Sequence, residues 1–315
     1  MLDLAHILAA SRHIDPVFLD SPIASDSQLD TQLGCQVLAK VELGNPIGSF
    51  KGRGTELFCA TSLLEAQGLV CASAGNFGQG LARAAVRRGH PCTVFAAKNA
   101  NNVKVDAMRR FGADVHLAGV DFDAAKAAAR RHASAHGLRF VEDGVDPALA
   151  EGAGTIALEL LRDTNFDVIV LPLGNGALLA GVGTVLRELA PHIEIIAVVA
   201  RNAPAMKLSL ESGHVVETDH AETIADGIAV RVPIASTLAD LRACCDDAVA
   251  VSEQDIFDAM RLAYRYLDRL TESAGATGLA AILADRQRYA GRRVATILSG
   301  GNIPLDLRDR LLATR

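Results

Sequence analysis

Short apolar runs rich in β-branched residues alternate along the chain with longer alanine-rich runs, and this alternation limits the fold more than any other feature. The apolar runs lie at residues 69–73, 92–96, 115–117, 168–172, 193–199 and 294–298. The alanine-rich runs lie at residues 77–88, 103–111, 123–136, 177–189 and 203–211. Strands that alternate with helices of this length predict parallel sheets with helices on both faces. The apolar runs are continuous, as expected of strands buried on two sides.

The runs fall into two sets, which predict two α/β units. The first set extends from about residue 68 to 142, and the second begins near Phe166 and continues to the C-terminus. We therefore predict an α/β fold of two three-layer α/β/α domains with mostly parallel sheets. The large domain would comprise residues 1–62 and 147–315, and the small domain residues 63–146. Ligands of open α/β sheets bind at the carboxyl ends of the strands, so we expect the site in the cleft between the domains.

Charge and composition exclude several classes of partner. The net charge is −6 and the basic residues are scattered, so the sequence predicts no nucleic-acid-binding surface. No run is long and apolar enough to span a bilayer, and the first residues lack the basic region of a signal peptide. The six cysteines show no C-x-x-C spacing, and a disulfide between the adjacent Cys244 and Cys245 would be strained and rare, so we expect reduced thiols without a metal or disulfide role. We expect a cytoplasmic protein with no membrane partner.

Four segments carry residues suited to chemistry. Residues 45–54 (NPIGSFKGRG) predict a turn with Lys51 at a helix start, where the positive helix end disfavours an ammonium and favours a nucleophilic amine. Residues 73–80 (SAGNFGQG) and 174–181 (GNGALLAG) each join a predicted strand to a helix, so their backbone N–H groups can bind an anion. Residues 299–302 (SGGN) follow the last predicted strand. Each segment alone is also typical of an ordinary turn, and none has the P-loop or dinucleotide-binding pattern.

The order of these four segments resembles that of one family, the fold-type II pyridoxal 5′-phosphate (PLP) enzymes with the tryptophan-synthase-β-like fold. Within it, the chain most resembles the serine/threonine dehydratase and serine racemase branch. The resemblance extends from about Lys40 to Asn302. It includes residues 151–155 (EGAGT), 223–229 (TIADGIA) and 272–276 (ESAGA).

The resemblance implies PLP as the cofactor and a role for each site residue. Lys51 resembles the lysine that binds PLP covalently and acts as the catalytic base. Phe50 would pack near the cofactor ring, and Gly227 would contact it through the backbone. Asn76 would bind the phenolic oxygen, and Ser299 the ring nitrogen. The phosphate loop would comprise Gly174, Asn175, Gly176, Ala177 and Leu178. The substrate carboxylate would be received by Ser73, Ala74, Gly75 and Asn76.

The resemblance also implies an activity on a small amino acid. Our leading hypothesis is a lyase that performs β-elimination on a β-hydroxy amino acid similar to threonine or serine, giving a 2-oxo acid and ammonia. The neutral Ser299 hydroxyl favours this chemistry, because it leaves the cofactor ring largely unprotonated and a weaker electron sink. Two alternatives stay open: a β-replacement synthase resembling cysteine or threonine synthase, and a PLP carrier with little catalysis. Members of this fold are usually dimers, so we expect a homodimer.

The chain departs from the family pattern in several places. Ala74 stands where serine racemases have an acid/base serine, which disfavours racemisation. Val199 and Ala205 stand where many relatives bind a divalent cation through Glu and Asp, so we predict no metal site. Residues 142–146 (EDGVD) replace the Pro-Phe-Asp-Asp pattern that lies over the substrate side chain, which predicts room for a substrate other than threonine. The chain ends soon after Ser299, so we expect no C-terminal regulatory domain and no isoleucine-type feedback.

Overall fold

The computed structural model describes residues 2–62, 68–100 and 102–313 of the 315-residue chain. Its strands are β1 (Ile23–Ala24), β2 (Gln36–Val41), β3 (Leu69–Ala72), β4 (Cys92–Ala96), β5 (Asp114–Leu117), β6 (Arg139–Val141), β7 (Val168–Pro172), β8 (Glu194–Ala200), β9 (Asp247–Val251) and β10 (Arg293–Leu298). Its α-helices are α1 (Leu4–Ala10), α2 (Ser27–Leu33), α3 (Lys51–Thr61), α4 (Asn76–Val86), α5 (Asn102–Arg110), α6 (Phe122–His136), α7 (Pro147–Asp163), α8 (Ala177–Leu189), α9 (Ala205–Ser212), α10 (Leu238–Cys244), α11 (Glu253–Leu267), α12 (Ser273–Ala284), α13 (Arg286–Tyr289) and α14 (Leu305–Leu312).

The predicted strands and helices are confirmed, with ends that agree to within two residues. The prediction lacked β1, β2, β6 and β9. β2 did not stand out because Lys40 interrupts its apolar run, although this lysine is fully buried.

The strands form two sheets. The larger sheet has the order β1-β2-β10-β7-β8-β9, and the smaller has the order β5-β4-β3-β6. β1 pairs with β2 in the antiparallel sense, and the other pairs are parallel. The larger sheet is not confined to residues after Phe166, because β2 pairs with β10 and brings the N-terminal segment into it.

Successive residues of the larger sheet's strands face opposite layers of helices, as the pleat of a strand requires. Val170 of β7 packs in one core with residues of α11 and α12. Its neighbour Leu171 packs in another core with residues of α7 and α8. In the smaller sheet, Cys71 of β3 lies in a core with α4, and its neighbour Val70 lies in one with α6. Both sheets are therefore the middle layer of an α/β/α sandwich, which confirms the predicted fold class.

The boundary between the two predicted domains involves α3. The predicted boundary after residue 62 adjoins residues 63–67, which lie outside the described part of the chain. Leu57 and Phe58 of α3 lie in the same core as Leu69 of the smaller sheet. The segment assigned to the large domain thus contributes to the core of the small one, and the domain limits themselves stay a prediction.

Glycines allow α7 and α8 to pack with their backbones in contact. A Cβ atom on Gly181 would lie 2.1 Å from the Ala150 carbonyl oxygen and 2.6 Å from the Gly154 nitrogen. These are backbone atoms of the facing helix, which cannot move aside as a flexible side chain can.

We therefore expect Gly181→Ala to destabilise the protein by about 1–3 kcal/mol, the usual cost of an overpacked core. Helix propensity alone predicts the opposite sign, since alanine is favoured over glycine inside a helix by about 1 kcal/mol. Urea unfolding midpoints measure the difference. Gly44→Ala is the control, because nothing lies within 4 Å of its Cβ position. A Gly181→Ala protein as stable as the parent would contradict this account of the packing.

The next observations concern membrane-spanning helices, cysteine thiols and metal-binding groups. Within residues 2–62, 68–100 and 102–313, no helix combines the length and apolar character needed to cross a membrane. All six cysteines are free thiols, and burial raises the pKa of Cys92 to about 12. Val199 and Ala205 are fully buried, and Val199 belongs to an apolar core. The described residues contain no group of three or more His, Cys, Asp or Glu side chains able to hold a metal ion.

Candidate active site

One cleft brings together every residue that the sequence analysis assigned to the site. It has a volume of about 660 Å³ and is lined by the segments that follow β3, β7 and β10. The predicted site residues that line it are Phe50, Lys51, Ser73, Ala74, Gly75, Asn76, Gly174, Asn175, Gly176, Ala177, Leu178, Gly227 and Ser299. The predicted residues that follow β3, β7 and β10 thus lie together in one cleft, because parallel strands end at the same edge of their sheet.

Lys51 is the first residue of α3, as predicted, and a braced turn holds it there. The Asn45 side chain accepts hydrogen bonds from two backbone N–H groups of this turn and donates to the carbonyls of Glu42 and Ser49. The Ser49 hydroxyl and the Phe50 N–H both donate to the Ser299 carbonyl, at 3.1 and 3.0 Å. The turn before Lys51 is therefore fixed to the end of β10.

The Lys51 amine forms an ion pair that the sequence analysis missed. Its Nζ lies 2.7 Å from both carboxylate oxygens of Asp143 and 4.9 Å from the centre of the Phe50 ring. The two charged side chains are 18% and 19% exposed, so both remain accessible from the cleft. No sequence signal joins these residues, which are 92 positions apart; only the acidic character of residues 142–146 drew attention to the segment.

The side chain of Ser73 braces the loop between β3 and α4. The Ser73 Oγ accepts hydrogen bonds from the Gly75 and Gly78 N–H groups, at 3.2 and 2.9 Å. A Cβ atom on Gly75 would lie 4.0 Å from the Lys104 Nζ, so this loop runs beside a cation. Ser73 thus fixes the shape of this loop, and Ser73, Ala74 and Gly75 line the cleft.

Asn76 is fixed by two side chains. Its Nδ2 donates to the Glu272 Oε1 at 2.6 Å, and its Oδ1 accepts from the Asn302 Nδ2 at 2.8 Å. The second hydrogen on Asn76 Nδ2 remains available to a ligand. Asn302 therefore supports the predicted contact residue, a role that the sequence analysis did not assign.

Two buried charged groups adjoin Asn76. Burial raises the pKa of the Glu272 carboxyl, although the Lys104 charge opposes this. Burial also lowers the pKa of Lys104, but the charges of Glu272 and Asp226 more than reverse this and raise it. Lys104 lies 2.5 Å from Asp226 and 4.0 Å from Glu272. The ammonium of Lys104 thus pairs with the Asp226 carboxylate and lies near that of Glu272.

The 174–178 loop after β7 has the properties of an anion site. Gly176 has a φ of +98°, which favours glycine, and it precedes a 13-residue helix that no side chain caps. The first N–H groups of such a helix have no partner within the helix and attract negative charge. A Cβ atom on Gly174 would lie 3.0 Å from the Gly227 carbonyl oxygen, so the loop lies close to the segment of Gly227.

Residues 14–300 match the model of a protein family described as "Pyridoxal-phosphate dependent enzyme". The chain belongs to the PLP-dependent enzymes. This result confirms the family and the cofactor that the order of the four segments predicted.

Three relatives place this PLP-dependent enzyme in the serine/threonine dehydratase branch. An L-threonine ammonia-lyase of Thermotoga maritima is 35% identical over 315 residues, which cover 99% of this chain and 78% of that protein. A beta-hydroxyaspartate dehydratase of Paracoccus denitrificans is 31% identical, and the match covers 95% of this chain and 96% of that protein. The processed form of threonine deaminase isoform 2 from Solanum lycopersicum has a TM-score of 0.90 at 30% identity, covering 98% of this chain and 91% of that one.

The chemistry of the cleft fits PLP. The cofactor carries an aldehyde, a phosphate dianion, a ring nitrogen and a phenolic oxygen. The cleft offers the Lys51 amine, the uncapped N-terminus of α8, the neutral Ser299 hydroxyl and an Asn76 amide with a free N–H hydrogen. A Cβ atom at Gly174 or Gly176 would fill space beside the anion loop, since each would approach a neighbouring group to 3.0 Å or less. The donor set and the small residues thus match the groups of PLP.

Proposed function

We propose that this PLP-dependent enzyme eliminates water from a small β-hydroxy amino acid of the serine and threonine type, and that hydrolysis of the resulting enamine gives a 2-oxo acid and ammonia. The observation that carries the proposal is a cleft that joins a lysine amine to two glycine-containing loops at helix starts. The named activities of the threonine ammonia-lyase and threonine deaminase relatives support it.

We assign the cofactor contacts as follows. Lys51 holds PLP covalently, with Phe50 beside the ring and the Gly227 backbone near it. The phosphate binds to the loop of Gly174, Asn175, Gly176, Ala177 and Leu178. Asn76 and Ser299 hydrogen-bond to the phenolic oxygen and the ring nitrogen. The cleft that these residues share, and the open N-terminus of α8, support the assignment.

The substrate carboxylate is assigned to the loop of Ser73, Ala74, Gly75 and Asn76. PLP, when bound, withdraws electrons from the substrate Cα. The Lys51 amine takes the proton from that carbon as a general base. Ala74 has no group that could move a proton on the opposite face, so elimination is favoured over racemisation.

Incubating the PLP-loaded enzyme with serine or threonine tests the proposal. We expect a 2-oxo acid and ammonia in equal amounts without any added nucleophile, measured by a coupled dehydrogenase and an ammonia assay. A strict requirement for an added nucleophile would instead indicate a β-replacement synthase. Bound PLP whose absorbance responds to no amino acid would indicate a carrier. Either result would contradict the proposed lyase.

We further propose that the enzyme works in the cytoplasm as a homodimer. The six free thiols suit a reducing compartment. Leu8 of α1 and Leu189 of α8 are 53% and 50% exposed on helices that contact each other, which offers apolar surface to a second copy. The mass of the purified protein by light scattering measures the oligomeric state, and a monomer would contradict the dimer.

A further inference from the structure

The segment from residue 142 to 146 is anchored at both ends, so the Asp143 carboxylate has a fixed place in the cleft. Glu142 forms ion pairs with Lys126 and Arg130 of α6. Asp146 accepts a hydrogen bond from the Arg139 side chain at 2.9 Å and caps α7. The Asp143 carboxylate is therefore carried by a braced segment.

The middle of this segment packs against the 174–178 loop. Gly144 has a φ of +90°, and a Cβ atom there would lie 2.8 Å from the Asn175 carbonyl oxygen. The segment and the 174–178 loop are thus in close contact. Asp143 stays beside the cofactor site for as long as this contact is kept.

Lys51 is the cation that neutralises Asp143 in this structure, at 2.7 Å from both oxygens. The proposed function commits the same Nζ atom to the cofactor and the substrate. Asp143 then no longer has a full ammonium as its partner. Its carboxylate becomes available to a hydrogen-bond donor or a cation on whatever occupies the cleft.

The other cations along the cleft are already neutralised by their own carboxylates. Lys104 pairs with Asp226, Lys126 with Glu142, and Arg231 with Asp123. Among the described residues that line the cleft, acidic side chains outnumber lysine and arginine two to one. No lysine or arginine among them is left to receive a second substrate carboxylate.

We infer that Asp143 selects the substrate by the charge of its side chain. The cleft admits amino acids whose β-substituent donates a hydrogen bond or carries a positive charge, and it rejects those with a side-chain carboxylate. This inference rests on the proposed function, since it assumes that Lys51 is committed to PLP. Relatives named for threonine and for β-hydroxyaspartate match this chain at 35% and 31% identity, so similarity alone does not separate the two substrate classes. The charge of the Asp143 carboxylate is what distinguishes the two substrate classes.

Equilibrium binding to the PLP-loaded enzyme tests the inference with probes that have no β-leaving group. L-2-Aminobutyrate is neutral, L-aspartate carries a side-chain carboxylate, and L-2,4-diaminobutyrate carries a side-chain ammonium. The absorbance change of the bound cofactor yields each dissociation constant without turnover. We expect aspartate to bind about 100-fold more weakly than 2-aminobutyrate, because like charges placed together strongly oppose binding. We expect diaminobutyrate to bind at least as well as 2-aminobutyrate.

Substitutions of Asp143 localise the effect. Asp143→Asn should reduce the ratio of the aspartate dissociation constant to that of 2-aminobutyrate by about tenfold or more, since the repelling charge is removed. Asp143→Ser is a second neutral variant, and Asp143→Glu should preserve the parental ratio. Asp219→Asn is the matched control, because it removes the same charge from an exposed residue of the cleft and should leave the ratio unchanged.

Two results would overturn the inference: tight aspartate binding by the parent enzyme, or an unchanged ratio in both neutral variants. If serine still yields a 2-oxo acid in that case, the proposed lyase stands and only the role of Asp143 is wrong. If no amino acid yields a 2-oxo acid, the lyase fails, while the binding ratios still report on Asp143.

Discussion

A Lys51→Ala variant should lose both its covalently attached PLP and its β-elimination activity. An alanine side chain has no amine to attach the aldehyde or to take the Cα proton. Lys104 and Lys126, which also line the cleft, are held by Asp226 and Glu142 and do not replace it. We expect 2-oxo acid formation to fall by about 10³-fold or more, since loss of a general base alone costs 10²–10⁴-fold and the covalent attachment is lost as well.

The absorbance of PLP that stays with the protein after desalting measures attachment, and the mass of the protein after chemical reduction shows whether the bond is covalent. Lys51→Arg is the informative companion, because a guanidinium can keep the ion pair with Asp143 but does not attach the aldehyde. It should resemble the parent in stability and Lys51→Ala in activity. Lys98→Ala removes an exposed lysine and should change neither property. Covalently attached PLP in Lys51→Ala would show that Lys51 has been wrongly assigned.

The parts of the candidate site that are formed by loops at helix starts could be predicted from the sequence. Lys51, the loop at Gly75 and the loop at Gly174 each lie at a helix start, and small residues there leave a local signal. Strands such as β7 were predictable because a strand buried on both faces is a continuous apolar run. These features depend on neighbours within a few positions of the chain.

The contacts that join distant side chains were not predictable in this way. Asp143 reaches Lys51, and Asn302 reaches Asn76, across 92 and 226 positions of sequence. β2 was not predicted because it contains Lys40, and a lysine in an apolar run argues against a buried strand. A buried ammonium is tolerated only beside charged partners, and these lie elsewhere in the chain. The partner of Lys40 is Glu159, 2.7 Å away, which lies on α7 and is shared with Arg53. A single sequence carries no local signal of such a pairing.

Arg53 is the centre of this buried charge network and lies two residues after Lys51. Its guanidinium donates two hydrogen bonds to Glu42, at 2.8 and 2.9 Å, and two to Glu159, at 2.5 and 2.9 Å. Arg53 and Glu42 have no exposed side-chain surface. Burial opposes ionisation of Glu159, but hydrogen bonds from Arg53 and the charge of Lys40 lower its pKa overall. The network thus connects α3, β2 and α7, and it begins two residues after Lys51, the proposed site of cofactor attachment.

We expect Arg53→Met to destabilise the protein by about 3–5 kcal/mol, the range found when one partner of a buried ion pair is removed. Glu159 would then keep only the ammonium of Lys40 as a cationic partner, and the buried Glu42 would keep the Ser21 hydroxyl. Urea unfolding midpoints measure the loss. Arg162→Met is the matched control, because Arg162 also bridges two carboxylates, those of Asp20 and Asp163, but is 58% exposed. Exposed pairs contribute about 0–1 kcal/mol, so the control should remain close to the parent.

The pH dependence of the stability difference shows whether Arg53→Met destabilises by leaving carboxylates buried without their cation or only by a loss of packing. In the parent, the lowered pKa of Glu159 contributes stability above the unfolded pKa, and this contribution is lost as the pH falls through the folded value. In Arg53→Met the buried carboxylates have lost their main cation, so their negative charges are costly. Protonation removes these charges, and lower pH therefore stabilises the folded variant relative to the parent. The stability difference between the two proteins should therefore shrink as the pH falls from 7 toward the ordinary carboxyl range. A difference that stays constant with pH would mean that Arg53 acts through packing, and that the network does not fix the start of α3 through its charges.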